Sequence, residues 1–211
     1  MNYDQIREKL PGVPIDIIQR LGHDPVTNKP LVCDGVEGPK TRRAVYLPID
    51  KLKAKTSQIA LNELLLGAQE INGNNRGRWV NKYFRCREGA DERKNRGAWC
   101  AAWVTWVLDQ AFGFKACWGA IRTVRDLMMR ITIDQVKEGD CVAWRSLTRP
   151  FPYGHVGLVV LVEDDCIWTI EANVSLKPGL DGVAARRLTT ELVRSDGNRP
   201  YLIGRPKGGQ T

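Results

Sequence analysis

Between Gly97 and Ala111 the chain runs GAWCAAWVTWVLDQA, with no helix breaker after its opening glycine. A stretch so uniformly apolar has to be buried, so it predicts a central helix against which the rest of the chain packs. Cys100 falls in the first turn of that helix. The unpaired backbone N–H groups and the positive end of the helix dipole favour a thiolate there. A free thiol has a pKa of about 8.5 and is a weak nucleophile at neutral pH. Cys100 needs a base, and the chain has two histidines, His23 and His155.

From Ile131 onward the pattern changes to short apolar runs separated by turns. Cys141–Arg145, Gly154–Val162, Cys166–Asn173, Val183–Leu188 and Tyr201–Gly204 are expected strands. Helices first and a strand meander after predict an α+β fold, with the helices packed on an antiparallel sheet. His155 opens the most apolar of these strands directly after Gly154, so its ring can reach a cleft. Glu171 and Asn173 lie two apart on the next strand, which places both on one face in a regular strand. A base needs a partner that fixes its tautomer, and either residue can serve His155. A glutamate inside the apolar run from Ile167 to Val174 needs a structural reason to be there. His23 is expected in a loop, without chemistry. Asn95 is either a turn residue or a side-chain donor to an oxyanion beside Cys100.

Composition limits the classes. With 211 residues and a 43% apolar fraction, the chain can bury one core or a core plus an appendage. Its net charge of +8 suits a polyanionic partner but carries no nucleic-acid-binding motif. The six cysteines show no C-x-x-C and no Cys/His ligand spacing, so neither a zinc site nor any other metal or cofactor is expected. Their apolar surroundings suit reduced core thiols. No apolar run has the length of a membrane span, and residues 1–10 lack the apolar segment of a secretory signal.

The N-terminal part reads as short helices at 1–10 and 15–21, a loop, and a helix entered through Gly38-Pro39. A further helix is expected from a cap at Thr56 or Ser57 as far as Ile71, and another between Trp118 and Met129. Leu21-Gly22, Asp24-Pro25, Asp34-Gly35 and the run Gly38–Val45 resemble the small helical peptidoglycan-binding module found beside wall hydrolases. Glu37 stands where that module usually has phenylalanine. Two units are therefore expected, a small module at 1–50 and a larger domain at 56–211.

The larger unit resembles the CHAP family of cysteine- and histidine-dependent amidohydrolases/peptidases, within the papain-like and NlpC/P60-like group. The matching pieces are Glu70–Gly77, Trp99–Val104, Gly139–Trp144, Gly154–Val159 and Glu171–Asn173. The resemblance implies Cys100 as nucleophile, His155 as base, Glu171 as orienting acid and Asn173 as polar helper. It implies a papain-like fold and hydrolysis of an amide in peptidoglycan, either the N-acetylmuramoyl–L-alanine bond or a peptide bond. No calcium loop of the D-x-[DN]-x-[DN]-G type is present. The combination suggests a phage endolysin: a monomer made in the host cytoplasm that reaches the wall through a holin, without inserting into the membrane. The alternatives are a bacterial toxin amidase and a non-catalytic wall-binding protein with an inactive cysteine domain.

Overall fold

The computed structural model describes residues 1–85, 98–114, 124–125, 128–145, 154–189 and 201–207. Its centre is the expected helix, α6 (Cys100–Phe112), which ends at Gly113 in the left-handed conformation at φ 73°. Trp103, Val104, Val107 and Leu108 are fully buried on it. Two further helices flank it, α4 (Lys55–Leu65) and α5 (Arg78–Phe84).

The sheet has six described strands, each antiparallel to its neighbours. They are β3 (Met128–Ile131), β4 (Cys141–Arg145), β5 (Gly154–Val162), β6 (Cys166–Lys177), β7 (Leu180–Thr189) and β8 (Tyr201–Pro206). Their order across the sheet is β3-β8-β4-β5-β6-β7. Strand alternation divides the buried residues between two faces. Cys141, Ala143, Val156, Leu158, Val160, Trp168 and Ile170 join the main core with α4 and α6. Val142, Trp144, Val159, Ile167, Leu188 and Ile203 form a smaller cluster on the other face. This is the α+β architecture that the sequence predicts.

The N-terminal segment supplies α1 (Tyr3–Lys9), α2 (Ile15–Gln19) and α3 (Pro39–Arg43), with a two-stranded ribbon of β1 (Gly22–His23) and β2 (Val45–Tyr46). Asn2 and Gln5 form a capping box on α1, and Pro39 starts α3. Ile6, Ile18, Leu21, Tyr46 and Leu47 belong to the same core cluster as α6 and the sheet. The segment, together with the residues after α4, also covers the edge strand β7. The N–H of Val183 donates to Ala68 O at 2.9 Å, and that of Ala185 to Arg20 O at 2.8 Å. The N–H of Arg187 donates to the His23 ring at 3.1 Å. Backbone groups that would otherwise template another strand are satisfied within the chain.

Three expectations change. Helix α4 stops at Leu65, with Gly67 left-handed at φ 73°, and the chain then runs along β7 through the Gln69–Gly182 bridge. Neither Thr56 nor Ser57 caps α4; both are buried inside it. Glu138 instead accepts the N–H groups of Lys53 and Ala54 at 2.9 and 3.0 Å, bringing a carboxylate to the helix start. Of the helix expected over 118–129, Val124 and Arg125 are helical, Met128 and Met129 begin β3, and the rest lies outside the described residues.

His23 is the third correction. It is not a loop residue but a strand residue at 2% exposure, edge-on to the Trp168 ring. Its Nδ1–H donates to Asn28 O at 3.1 Å, and Nε2 accepts the Arg187 N–H. The neutral ring satisfies both nitrogens, and burial lowers the pKa. A histidine with a depressed folded pKa favours the folded state at high pH. Stability is lost as pH falls below the unfolded value of about 6.5 toward the folded one. Thermal melts from pH 7.5 to 5 should show a fall in Tm that is smaller in His23→Gln. An equal fall in both proteins would contradict this role for His23.

Candidate active site

Cys100 is the first residue of α6, as expected, and is 3% exposed. The preceding residue, Trp99, is anchored by its side chain. Its indole N–H donates to Glu70 Oε1 at 3.2 Å, and its ring stacks on Tyr83 with centroids 5.6 Å apart. Glu70 Oε1 also accepts the N–H of Asn75 at 2.7 Å, which ties the turn after residue 70 to the same point. The start of the helix is thus fixed from the side as well as by its own backbone.

His155 lies at the beginning of β5 and faces Trp144 across the β4–β5 pair, with ring centroids 4.8 Å apart. One of its ring nitrogens, Nε2, is 3.0 Å from Glu171 Oε2. The Cys100 thiol lies near enough to the same ring to interact with it. Glu171 is fully buried and paired in register with Gly157. Thr169 donates its hydroxyl to Glu171 Oε1 at 2.7 Å. Arg186 of β7 approaches from the far side, with Nε 3.6 Å from Oε2. The result is a connected row: thiol, imidazole, carboxylate, guanidinium.

The electrostatics follow from that row. Burial pushes the Cys100 thiol up. The charge and hydrogen bond of His155, with the N–H groups of Val156 and Ala101, outweigh burial and leave it below its ordinary value. Burial pushes His155 down, and the sulfur and the Glu171 carboxylate together raise it above the ordinary histidine range. Burial also raises Glu171, but Arg186, His155 and Thr169 hold it below the usual glutamate value. Cys141 and Cys166 differ: burial raises both thiols, Cys166 to about 12. A low-pKa sulfur is the mark of a nucleophile, and a raised one that of an inert core thiol.

Asn173 does not join the row. The pairing of β6 with β7 skips it, running from Ala172↔Val183 to Val174↔Gly182, and its φ is 62°. This bulge breaks the alternation that two-residue spacing assumes. Its Oδ1 is buried with no partner among the described residues. Asn95 lies outside the described residues. Among those residues no cluster of His, Cys, Asp and Glu could hold a metal ion.

Residues 92–173 match the family model of the CHAP domain. The match starts before Cys100 and ends at Asn173, so it spans the thiol, the imidazole and the carboxylate. No curated protein matches the chain. Among solved structures, the crystal structure of a wild type endolysin, LysIME-EF1, aligns at 19% identity with a TM-score of 0.39. That alignment covers 73% of this chain and 65% of the endolysin chain.

Four contributors to the site were not singled out from the sequence for the parts they play. Thr169 and Gly157 each lie two residues from a predicted site residue, and alternation puts them on its face. Glu70 and Arg186 come from other elements. Gly157 is required by close approach: a Cβ there would lie 2.7 Å from Glu171 Cγ. Gly157→Ala should displace the carboxylate and cost about 1–3 kcal/mol of stability. It should also slow alkylation of Cys100 by iodoacetamide at pH 7. Unchanged Cys100 reactivity in a folded Gly157→Ala protein would show that the carboxylate's position does not matter to the thiol.

Proposed function

We propose that this protein is a cysteine-dependent peptidoglycan hydrolase of the endolysin type, with Cys100 as nucleophile, His155 as base and Glu171 as the orienting acid. The observation that carries the reading is the His155 ring, which bonds buried Glu171 at 3.0 Å and interacts with the Cys100 thiol. The CHAP match over residues 92–173 supports the same class of chemistry.

In this mechanism His155 takes the thiol proton before substrate arrives, and Glu171 stabilises the imidazolium. The Cys100 thiolate attacks the carbonyl carbon of an amide in the wall peptide. The tetrahedral oxyanion is held by the backbone N–H of Cys100 at the start of α6. His155 then protonates the leaving amine. A water molecule, deprotonated by the same ring, hydrolyses the thioester and restores the thiol. Asn173 is a helper in this scheme, not the orienter. The scissile amide is either the N-acetylmuramoyl–L-alanine bond or a stem or crosslink peptide bond. Mass spectrometry of products from defined peptidoglycan tells these apart.

Initial rates of wall lysis test the assignment. Cys100→Ala should abolish lysis, whereas Cys141→Ala should keep most of it. Glu171→Gln should cut turnover by about 10³- to 10⁴-fold, because an amide cannot stabilise an imidazolium. Asn173→Ala should cost far less. Lysis by folded Cys100→Ala at the wild-type rate would end the proposal, and the reverse ranking of Glu171→Gln and Asn173→Ala would move the orienting role to Asn173.

We further propose that residues 1–50 form a wall-binding unit attached to a catalytic domain at 56–211. Its exposed side includes Val32, Val36 and the basic residues of α3. Among the described residues no helix is long and apolar enough to cross a membrane. For access to the wall the proposal invokes a holin, and it takes the enzyme to act as a monomer. Pull-down on insoluble sacculi of the full chain carrying Cys100→Ala should weaken when Lys40, Arg42 and Arg43 are changed to glutamine. The loss should persist in raised salt, where nonspecific attraction is screened. Equal binding at both salts would remove the binding role from this face.

A further inference from the structure

Every other charged member of the site has a partner that the mechanism uses. Arg186 does not. It stands opposite Thr169 in the β6–β7 register, diagonal to Glu171 on the same face of the sheet. Its Nε is 3.6 Å from Glu171 Oε2, beyond hydrogen-bond reach, and its side chain is 37% exposed. Both carboxylate oxygens already accept bonds, Oε1 from Thr169 and Oε2 from His155. What the guanidinium adds is therefore charge.

We infer that Arg186 is a positioning residue of the hydrolase, keeping the buried Glu171 carboxylate ionised so that Glu171 can hold the His155 imidazolium against the Cys100 thiolate. The inference rests on the cysteine-hydrolase reading above. A carboxylate with no exposed surface and one titratable partner would tend to take up a proton. With Arg186 alongside, the charges alternate along the row: thiolate, imidazolium, carboxylate, guanidinium.

The position of Arg186 is itself built. The N–H groups on either side of it, those of Ala185 and Arg187, are bonded by Arg20 O and the His23 ring. Other titratable groups lie near. His23 feels both Arg186 and Glu171, and its ring is held neutral by burial. Asp181 at the start of β7 feels His155 and Glu70, and burial keeps its pKa raised. Arg186 is the permanent cation on Glu171.

The sign of its effect is fixed. Removing a positive charge makes Glu171, Cys100 and His155 all release protons less readily, so the acid limb of thiolate formation moves to higher pH. The test is the rate of Cys100 carboxamidomethylation by iodoacetamide against pH. It is read at the Cys100 peptide by mass spectrometry in the full-length protein. Arg186→Gln should raise the acid-side midpoint by about one pH unit, the size expected for a cation a few ångströms from a carboxylate. Near the wild-type midpoint that amounts to a several-fold loss of reactivity. Arg186→Lys keeps the charge and should restore the wild-type profile. Arg187→Gln removes equal charge from the same strand at a side chain paired to Asp165 at 2.8 Å, and should leave the profile unmoved. Arg186→Thr is a second neutral variant, and either folded neutral variant decides the matter. An unmoved midpoint in Arg186→Gln, or an equal shift in Arg186→Lys, overturns the role of Arg186 alone. A wild-type Cys100 that titrates as an ordinary thiol near about 8.5 overturns the hydrolase reading along with it.

Discussion

The site depends on one buried carboxylate. Glu171 has no exposed surface, and an ion in that position has to be matched by partners on every side. It has three: the Thr169 hydroxyl, the His155 ring and the Arg186 guanidinium. Those partners come from β6, β5 and β7, so three adjacent strands must be in register for the charge to be tolerated. In return, the carboxylate fixes the orientation of the His155 ring beside Cys100. The helix is held independently, through Trp99 bonded to Glu70. Two separately anchored pieces meet at the sulfur, and pre-organisation of this kind removes the cost of assembling a nucleophile at each turnover.

The edge of the sheet enters the same logic. Strand β7 carries Arg186 and would be an open edge without the chain segments that cover it. Arg20, His23 and Ala68 take up its outward N–H groups one after another. The N-terminal segment is thus part of what holds the cation in place, whatever else its outer face binds. Arg20 is itself a buried cation, with bonds to Ala68 O and Gln69. The covered edge and the charged row share a wall.

Much of this was legible in the sequence, for identifiable reasons. Cys100 stood out because a thiol at the start of an apolar helix feels unpaired N–H groups. His155 and Glu171 stood out because each interrupts an apolar strand. The helix-then-strand order was enough for the α+β architecture. The shared face expected of Glu171 and Asn173 did not follow, because two-residue spacing implies one only in a regular strand. Here a left-handed residue makes the bulge. Arg186 was hidden in a pair of adjacent arginines, since only the register decides which faces the site. His23 was hidden because what buries it includes Arg187, 164 positions away along the chain. The contact before α4 was hidden in the same way, because its carboxylate, Glu138, comes from a distant turn.

The two histidines now carry opposite expectations within one molecule. His23 accepts a backbone N–H and is held neutral, with its proton on Nδ1. His155 lies between a sulfur and a carboxylate that both favour the charged ring. Side-chain nitrogen NMR of the uniformly labelled protein at pH 7 reads both rings at once. The account predicts one neutral imidazole, assigned to His23 by its loss in His23→Gln, and one imidazolium with both nitrogens protonated. That imidazolium should become neutral at a lower pH once Cys100 is alkylated, because the sulfur helps to hold its proton. A neutral His155 at pH 7 in the unmodified protein, titrating near the ordinary value of about 6.5, would contradict the thiolate–imidazolium pair on which the mechanism rests.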